Sequence, residues 1–257
     1  MHNVKPKKHL GQHFLKDRHA AEAIVEMLQA NPDDTIIEIG PGKGVLTDFL
    51  KVKYPKLELV EVDTEAIAYL KQTYEASCPP IHEGDVLKWE MAAHIPEDTY
   101  FISNLPYNIS SPVMFTFLEN MRFIKEGVFM VQKEVALRIC SPPGNKQYGI
   151  LSVLLGAYFD LTLGINVPPS AFDPPPKVQS AVFRMTRKEH APEVDYETFK
   201  RLIKTGFNQR RKTLRNALKP LNVSWDPQHE EILKRRAETL SVEEFVGLAN
   251  FVSREDD

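Results

Sequence analysis

Apolar positions along the chain recur with two alternating periods, and the alternation predicts strands separated by helices. From residue 18 to residue 29, Ala20, Ala23, Ile24, Met27 and Leu28 fall at helical spacing. Residues 35–39 form a short β-type run that ends in a glycine turn. Val45, Leu46, Phe49 and Leu50 then return to the helical period. Residues 57–62 read as a second strand, and residues 64–74 as a helix with Asp63 or Thr64 as N-cap. A short third strand is expected at 81–82, before Gly84-Asp85, and a buried fourth at 100–103. Ser111-Pro112 predicts a helix start, with a capping serine and proline at the first helical position. Residues 127–132 read as a fifth strand, followed by helical patterns over 133–140 and 148–157. Two late strands, near 161–167 and 179–185, flank the run 168–177, whose prolines predict a stiff loop without regular structure.

Strands alternating with helices imply an α/β, Rossmann-like domain: a mainly parallel sheet with helices on both faces. After Arg187 the pattern is helical only. The expected division is 1–190 for the α/β domain with a basic N-terminal arm, and 191–257 for a small all-α domain. A length of 257 residues accommodates that pair. No apolar run is long enough to span a bilayer, so no membrane association is expected. The two cysteines, Cys78 and Cys140, match neither a disulfide framework nor metal-ligand spacing, which fits a reducing cytoplasm. His82, Glu83 and Asp85 lack a second supporting cluster and read as turn or surface residues, so no metal is expected.

Candidate chemistry gathers at the predicted strand ends. Glu38-Ile39-Gly40-Pro41-Gly42-Lys43-Gly44 places a glycine turn between a strand and a helix, where backbone can approach a ligand closely. Glu61 ends the second strand 21 positions after Gly40, where ribose hydroxyls are typically gripped. Gly84-Asp85-Val86 adds a carboxylate suited to accept from an adenine amine. A phosphate-cradling loop is disfavoured because Gly44, not Ser or Thr, follows Lys43.

Asn104-Leu105-Pro106-Tyr107 follows the buried run 100–103. An adenine amine is a poor nucleophile because its lone pair is delocalised into the ring. The Asn104 side chain and the Leu105 carbonyl, accepting from both amine protons, would favour a pyramidal nitrogen aimed at an electrophile. Pro106 holds Leu105 extended, and Tyr107 offers a stacking face. Phe172, in the proline loop, is expected as the second aromatic wall around an extruded base. Together with the glycine turn, the tetrapeptide suggests methyl transfer to a nucleobase.

Charge adds a polyanion. The net charge is −3, yet residues 1–18 hold five Lys/Arg with one acid, and residues 200–219 hold eight with none. The remainder carries 19 basic against 34 acidic residues, so positive charge is concentrated in two segments. Residues 207–218 are expected as a basic helix, with Arg211 and Arg215 on one face and Arg210 and Lys212 beside them, meeting RNA phosphates. Lys5, Lys7 and Lys8 are expected to cover the strand from another side.

Five ordered motifs, Gly11-Gln12-His13-Phe14-Leu15, Glu38 to Gly44, Asn104 to Ser110, Val167 to Phe172 and Phe207 to Leu218, resemble those of the KsgA family of small-subunit ribosomal RNA adenine dimethyltransferases. The likeness runs from about residue 8 to 251. It implies a class I methyltransferase fold with a seven-stranded sheet and a C-terminal helical domain. It also implies S-adenosylmethionine as donor and two methyl groups on N6 of each of two adjacent adenosines near the 3′ end of 16S rRNA in the 30S particle. A role in small-subunit biogenesis goes with that activity. By motif matching, His13, Leu15, Gly40, Gly42, Glu61, Asp85, Val86 and Asn104 take cofactor positions, and Asn104, Leu105, Pro106, Tyr107 and Phe172 take base positions. His13 stands where the family more commonly has asparagine; an imidazole can still make one hydrogen bond. A monomer is expected, since nothing requires a dimer. The alternatives are the related family that methylates large-subunit rRNA, a DNA adenine methyltransferase, and a non-catalytic binder on the same fold. The first shares the glycine turn and a similar Asn-x-Pro-Tyr.

Overall fold

The computed structural model describes residues 4–7 and 10–256. In chain order the elements are β1 (Phe14–Leu15), α1 (Arg18–Glu26), β2 (Ile36–Ile39), α2 (Thr47–Lys53), β3 (Leu57–Glu61), α3 (Thr64–Tyr74) and β4 (Ile81–Glu83). Next come α4 (Met91–His94), β5 (Thr99–Asn104), α5 (Ser110–Glu119), β6 (Ile124–Gln132), α6 (Lys133–Ile139), α7 (Ile150–Tyr158), β7 (Phe159–Val167), β8 (Phe172–Asp173) and β9 (Ser180–Arg187). Helices α8 (Tyr196–Asn208), α9 (Leu214–Ala217), α10 (Glu230–Leu233) and α11 (Val242–Asp256) complete the chain.

Seven strands form one sheet in the order β4-β3-β2-β5-β6-β9-β7. The pairs β4–β3, β3–β2, β2–β5 and β5–β6 are parallel, and β9 runs antiparallel to β6. This is the Rossmann-like, mainly parallel α/β arrangement. Strand β2 is buried along its whole length, as expected when helices cover both faces. The order reverses at β2, with β3 on one side and β5 on the other. A crevice therefore opens at the carboxyl ends of these strands, the place where such sheets take ligands.

The helix over Thr64–Tyr74 starts as expected, with the Asp63 carboxylate accepting from the Glu65 N–H at 3.0 Å. Helix α5 differs: it starts at Ser110, one residue before the expected cap. Ser111 therefore does not cap it, and Pro112 is its third residue. There the missing N–H is one of the four that a helix start leaves free anyway. The proline loop also differs. Pro169–Ala171 makes a turn of 3-10 helix, and Phe172–Asp173 pairs antiparallel with Phe14–Leu15. The prolines flank this ladder without interrupting it, and the Ala171 carbonyl accepts from the Lys16 N–H at 2.8 Å.

Two compact units emerge, and their division differs from the expected break near 190. One runs up to Ala136 and includes Leu161–Arg187; the other joins Leu137–Asp160 to the chain from Lys188 onward. The reason is α7, in which Leu151, Val153, Leu154 and Leu155 are all buried. Such a helix needs apolar neighbours on every side, and α8 and α11 supply them. Phe199, Leu202, Ile203, Phe207, Phe245 and Leu248 form the core of that second unit.

Candidate active site

Every residue expected at the cofactor lines a single pocket at the carboxyl ends of β2, β3 and β5: His13, Leu15, Gly40, Gly42, Glu61, Asp85, Val86 and Asn104. Leu105, Pro106 and Tyr107 line it as well; Phe172 does not. Gly40 has φ +63°, and a Cβ there would meet no atom within 4 Å, so the turn offers bare backbone to a ligand. Gly42 has φ +56° for a different reason: a Cβ would come within 2.9 Å of the Phe14 ring.

The acids around this turn are tightly held. Glu61, 5% exposed, accepts from the Gly42 N–H at 3.2 Å on one oxygen and from the N–H groups of Val62 and Asp63, both at 2.9 Å, on the other. Burial pushes its carboxyl above the usual range, against the pull of those backbone donors. Asp85 accepts from the Leu87 N–H at 3.0 Å, which fixes its side chain at the rim. Donors and acceptors so placed suit a nucleoside with a ribose diol and an amino-purine, so this residue set fits S-adenosylmethionine.

Three residues here were not anticipated in their observed roles. Glu38 is a carboxylate inside an otherwise apolar strand, 1% exposed, and the Thr47 hydroxyl donates to it at 2.6 Å. Burial raises its carboxyl to about 8. An acid among isoleucines was the available signal. Asp63 does more than cap α3: Lys7 Nζ lies 2.6 Å from one oxygen, and the Gln12 side-chain amide donates to the other at 2.9 Å. Burial would raise the Asp63 carboxyl, but those partners outweigh it and hold it below the usual range. Lys7, expected on RNA, is therefore engaged with Asp63, while Lys5 is exposed and Lys8 lies outside the described residues.

At the end of β5 the Asn104 amide donates to the His13 carbonyl at 3.0 Å, which turns its oxygen away from His13. The Leu105 N–H donates to the Met130 carbonyl at 3.0 Å, so the neighbouring strand fixes the backbone of this tetrapeptide. Phe172 is the expectation that fails. Its ring is 1% exposed and packs in the core with Leu15, Ala21 and Ile24. Pairing with Leu15 in the β1–β8 ladder fixes that side of the chain inward.

The basic segment also departs from expectation. Helix α8 ends at Asn208, residues 209–213 form a turn, and α9 begins only at Leu214. In one continuous helix, Gly206 and Leu214 would lie about 12 Å apart along the axis. Here a Cβ on Gly206 would sit 3.3 Å from Leu214 Cδ2, so the chain turns back to bury Leu214 and Leu218. Arg211 and Arg215 therefore share no helix face. Arg210 donates to the carbonyls of Lys146 and Tyr148, both at 2.8 Å, and Arg215 pairs with Glu230 at 2.5 Å. Arg211 and Lys212 are exposed on the turn.

Among the described residues, no group of three or more His, Cys, Asp or Glu is placed to hold a metal ion, and no helix is long and apolar enough to cross a membrane.

Residues 3–253 match the family model described as ribosomal RNA adenine dimethylase. Among curated proteins, the chain is 46% identical over 254 residues to ribosomal RNA small subunit methyltransferase A of Bacteroides fragilis, covering 98% of this chain and 93% of that one. It is 47% identical over 251 residues to the protein of the same name from Flavobacterium johnsoniae, covering 96% of each. Among solved structures, a dimethyladenosine transferase from Plasmodium falciparum superposes with a TM-score of 0.84 at 25% identity, covering 95% of this chain and 98% of that one. The 23S rRNA methyltransferase ErmE shares the fold, with a TM-score of 0.74 at 22% identity over 93% of this chain and 99% of its own.

Proposed function

The chain belongs to the ribosomal RNA adenine dimethylase family, and from that premise we propose that it dimethylates N6 of two adjacent adenosines near the 3′ end of 16S rRNA, using S-adenosylmethionine. The substrate is the RNA within the 30S subunit or its precursor, and the enzyme works as a cytoplasmic monomer. What carries this reading is the Asn104 amide. It is held by the His13 carbonyl so that its oxygen is free to accept, at a strand end that shares one pocket with the glycine turn.

The donor, when bound, supplies a methyl group on a positively charged sulfur. The chain's part is positioning. Bare backbone at Gly40 lets the cofactor approach, and Glu61 and Asp85 select a ribose and an amino-purine. The Asn104 oxygen and the Leu105 carbonyl accept from the two protons of the target amine in the first transfer, one of them accepts from the single remaining proton in the second, and Tyr107 stacks on the base. Methyl transfer from the bound donor would leave the nitrogen positive and acidic, so its proton would pass to water and the chain would need no strong base. Holding reactants in this way converts a bimolecular encounter into an effectively unimolecular one. In the helical unit, Arg211 and Lys212 supply phosphate contacts that add affinity without reading sequence.

The test is incubation with labelled donor and under-methylated 30S particles, followed by mapping of the label. Two neighbouring dimethylated adenosines near the 3′ end of 16S rRNA are expected. Label at other positions of that RNA, or none at all, would overturn the assignment.

A further inference from the structure

Phe172 is buried, yet the loop that carries it touches the tetrapeptide elsewhere. The Tyr107 hydroxyl lies 2.7 Å from Ser180 Oγ. Ser180 begins β9, pairs with Gln132 on β6, and is 0% exposed. The tyrosine thus reaches past the end of β6 and is anchored at its far tip to a residue the sheet holds rigidly.

The second contact runs through His13. Its Nδ1 lies 2.8 Å from the Pro174 carbonyl. A carbonyl can only accept, so Nδ1 carries the hydrogen and the ring plane is fixed by the loop. The His13 ring stands 5.5 Å from that of Tyr107, tilted by 30°. That spacing is direct ring contact and leaves no room for a base between them. His13 therefore backs one side of Tyr107, and its own carbonyl holds the Asn104 amide.

We infer that Ser180 is a positioning residue of the base site: its hydroxyl fixes the plane of Tyr107, which His13 backs, so that the tyrosine's remaining face receives the target adenine. The inference rests on the reading of Asn104 to Tyr107 as the base pocket, and it gives the 172–180 loop a role there without an exposed Phe172. A phenol tied only at Cβ can pivot about two side-chain torsions. Tied at the hydroxyl as well, it presents one plane, and orientation is what the reaction needs from it.

A double-mutant cycle on turnover with under-methylated 30S, at saturating donor, tests this. Ser180→Ala and Tyr107→Phe remove the same hydrogen bond from opposite ends. Each is expected to lower kcat about 3- to 10-fold, as for loss of one buried hydrogen bond. The pair should be no worse than either alone, because contacting residues couple. Ser180→Thr, which keeps the hydroxyl, should stay within about twofold of the parent. Binding of S-adenosylhomocysteine, followed by calorimetry, should be unchanged in the two Ser180 variants. Full activity in both single variants, or losses that multiply in the double, would overturn the role of Ser180 while leaving the enzyme's function standing. An inactive parent protein would instead remove the base-site reading itself.

Discussion

Glu38, Glu61 and Asp63 beside the pocket are carboxyl groups, Arg210, Arg211, Lys212 and Arg215 in the helical unit are cations, and the molecule treats the two sets in opposite ways. The three acids are 1%, 5% and 2% exposed, and each meets fixed donors: a threonine hydroxyl, three backbone N–H groups, or a lysine and an amide. The four cations all stay at the surface, on a turn and a short helix. Burying a carboxyl group costs free energy unless it keeps its proton or is given partners, and supplying partners fixes geometry. Exposed charge costs little and stays adaptable. The first arrangement suits chemistry on one atom, and the second suits grip on a polyanion.

The largest effect should come from the rigid side of this contrast. On the proposed mechanism, Asn104→Ala removes the side-chain acceptor from the target amine while leaving the Leu105 carbonyl. A loss of about 10²–10³ in kcat is expected, the range for one preorganised group acting on developing charge. Single-turnover rates on under-methylated 30S would measure it, with filter binding to show that affinity for the particle is kept. Turnover within a few-fold of the parent would leave the contrast without its chemical half.

Next is the cost of a buried acid. Glu38 titrates near 8 when folded, because of burial, against an ordinary value of 4.5. Below about 4.5, folded and unfolded chains both hold the proton, so the group is neutral in the balance. Between 4.5 and 8 the unfolded chain releases it while the folded chain does not, and stability falls as pH rises through that window. Glu38→Gln should therefore match the parent near pH 4.5 and exceed it increasingly up to about pH 8, read from urea midpoints. Parallel curves for the two proteins would mean that Glu38 is ionised in the fold.

The same contrast explains what could be read in advance. A parallel sheet ties its chemistry to strand ends, so hydrophobic runs that located β2, β3 and β5 also located Gly40, Glu61 and Asn104. A helix start at Asp63 or Thr64 followed from the helical period and the residue types, and the structure puts the cap at Asp63. What escaped depends on segments distant in sequence. Phe172 looked like a loop aromatic because its ladder partner, Leu15, lies far upstream. The helix expected across 207–218 breaks because Leu214 must return to Gly206, a contact no local period encodes. Residues 137–160 join the helical unit through the apolar surround of α7, visible only once α8 and α11 are in place. Glu38 left a local trace, one acid in an isoleucine strand, but its partner Thr47 was needed to interpret it.

The adaptable side is sharpened by separating cations that look equivalent in the sequence. Arg210→Ala removes two hydrogen bonds to backbone carbonyls of the 146–148 segment. At an exposed site this should cost about 1 kcal/mol of stability, seen as a lower urea midpoint, with little change in the salt dependence of RNA binding.

The smallest expected effect is the reverse. Arg211→Ala combined with Lys212→Ala leaves fold contacts alone, because both side chains are exposed on the turn. If each neutralises one phosphate, the slope of log affinity against log salt should flatten by about 1.5, with affinity falling several-fold at low salt and less at high salt. Arg215→Ala is the internal comparison: its guanidinium already pairs with Glu230, so removing it should change the slope by less than either neighbour does. A salt series on small-subunit RNA decides the matter. An unchanged slope in the double variant would place these cations off the RNA, and the exposed charge would then be no more than a solvated turn.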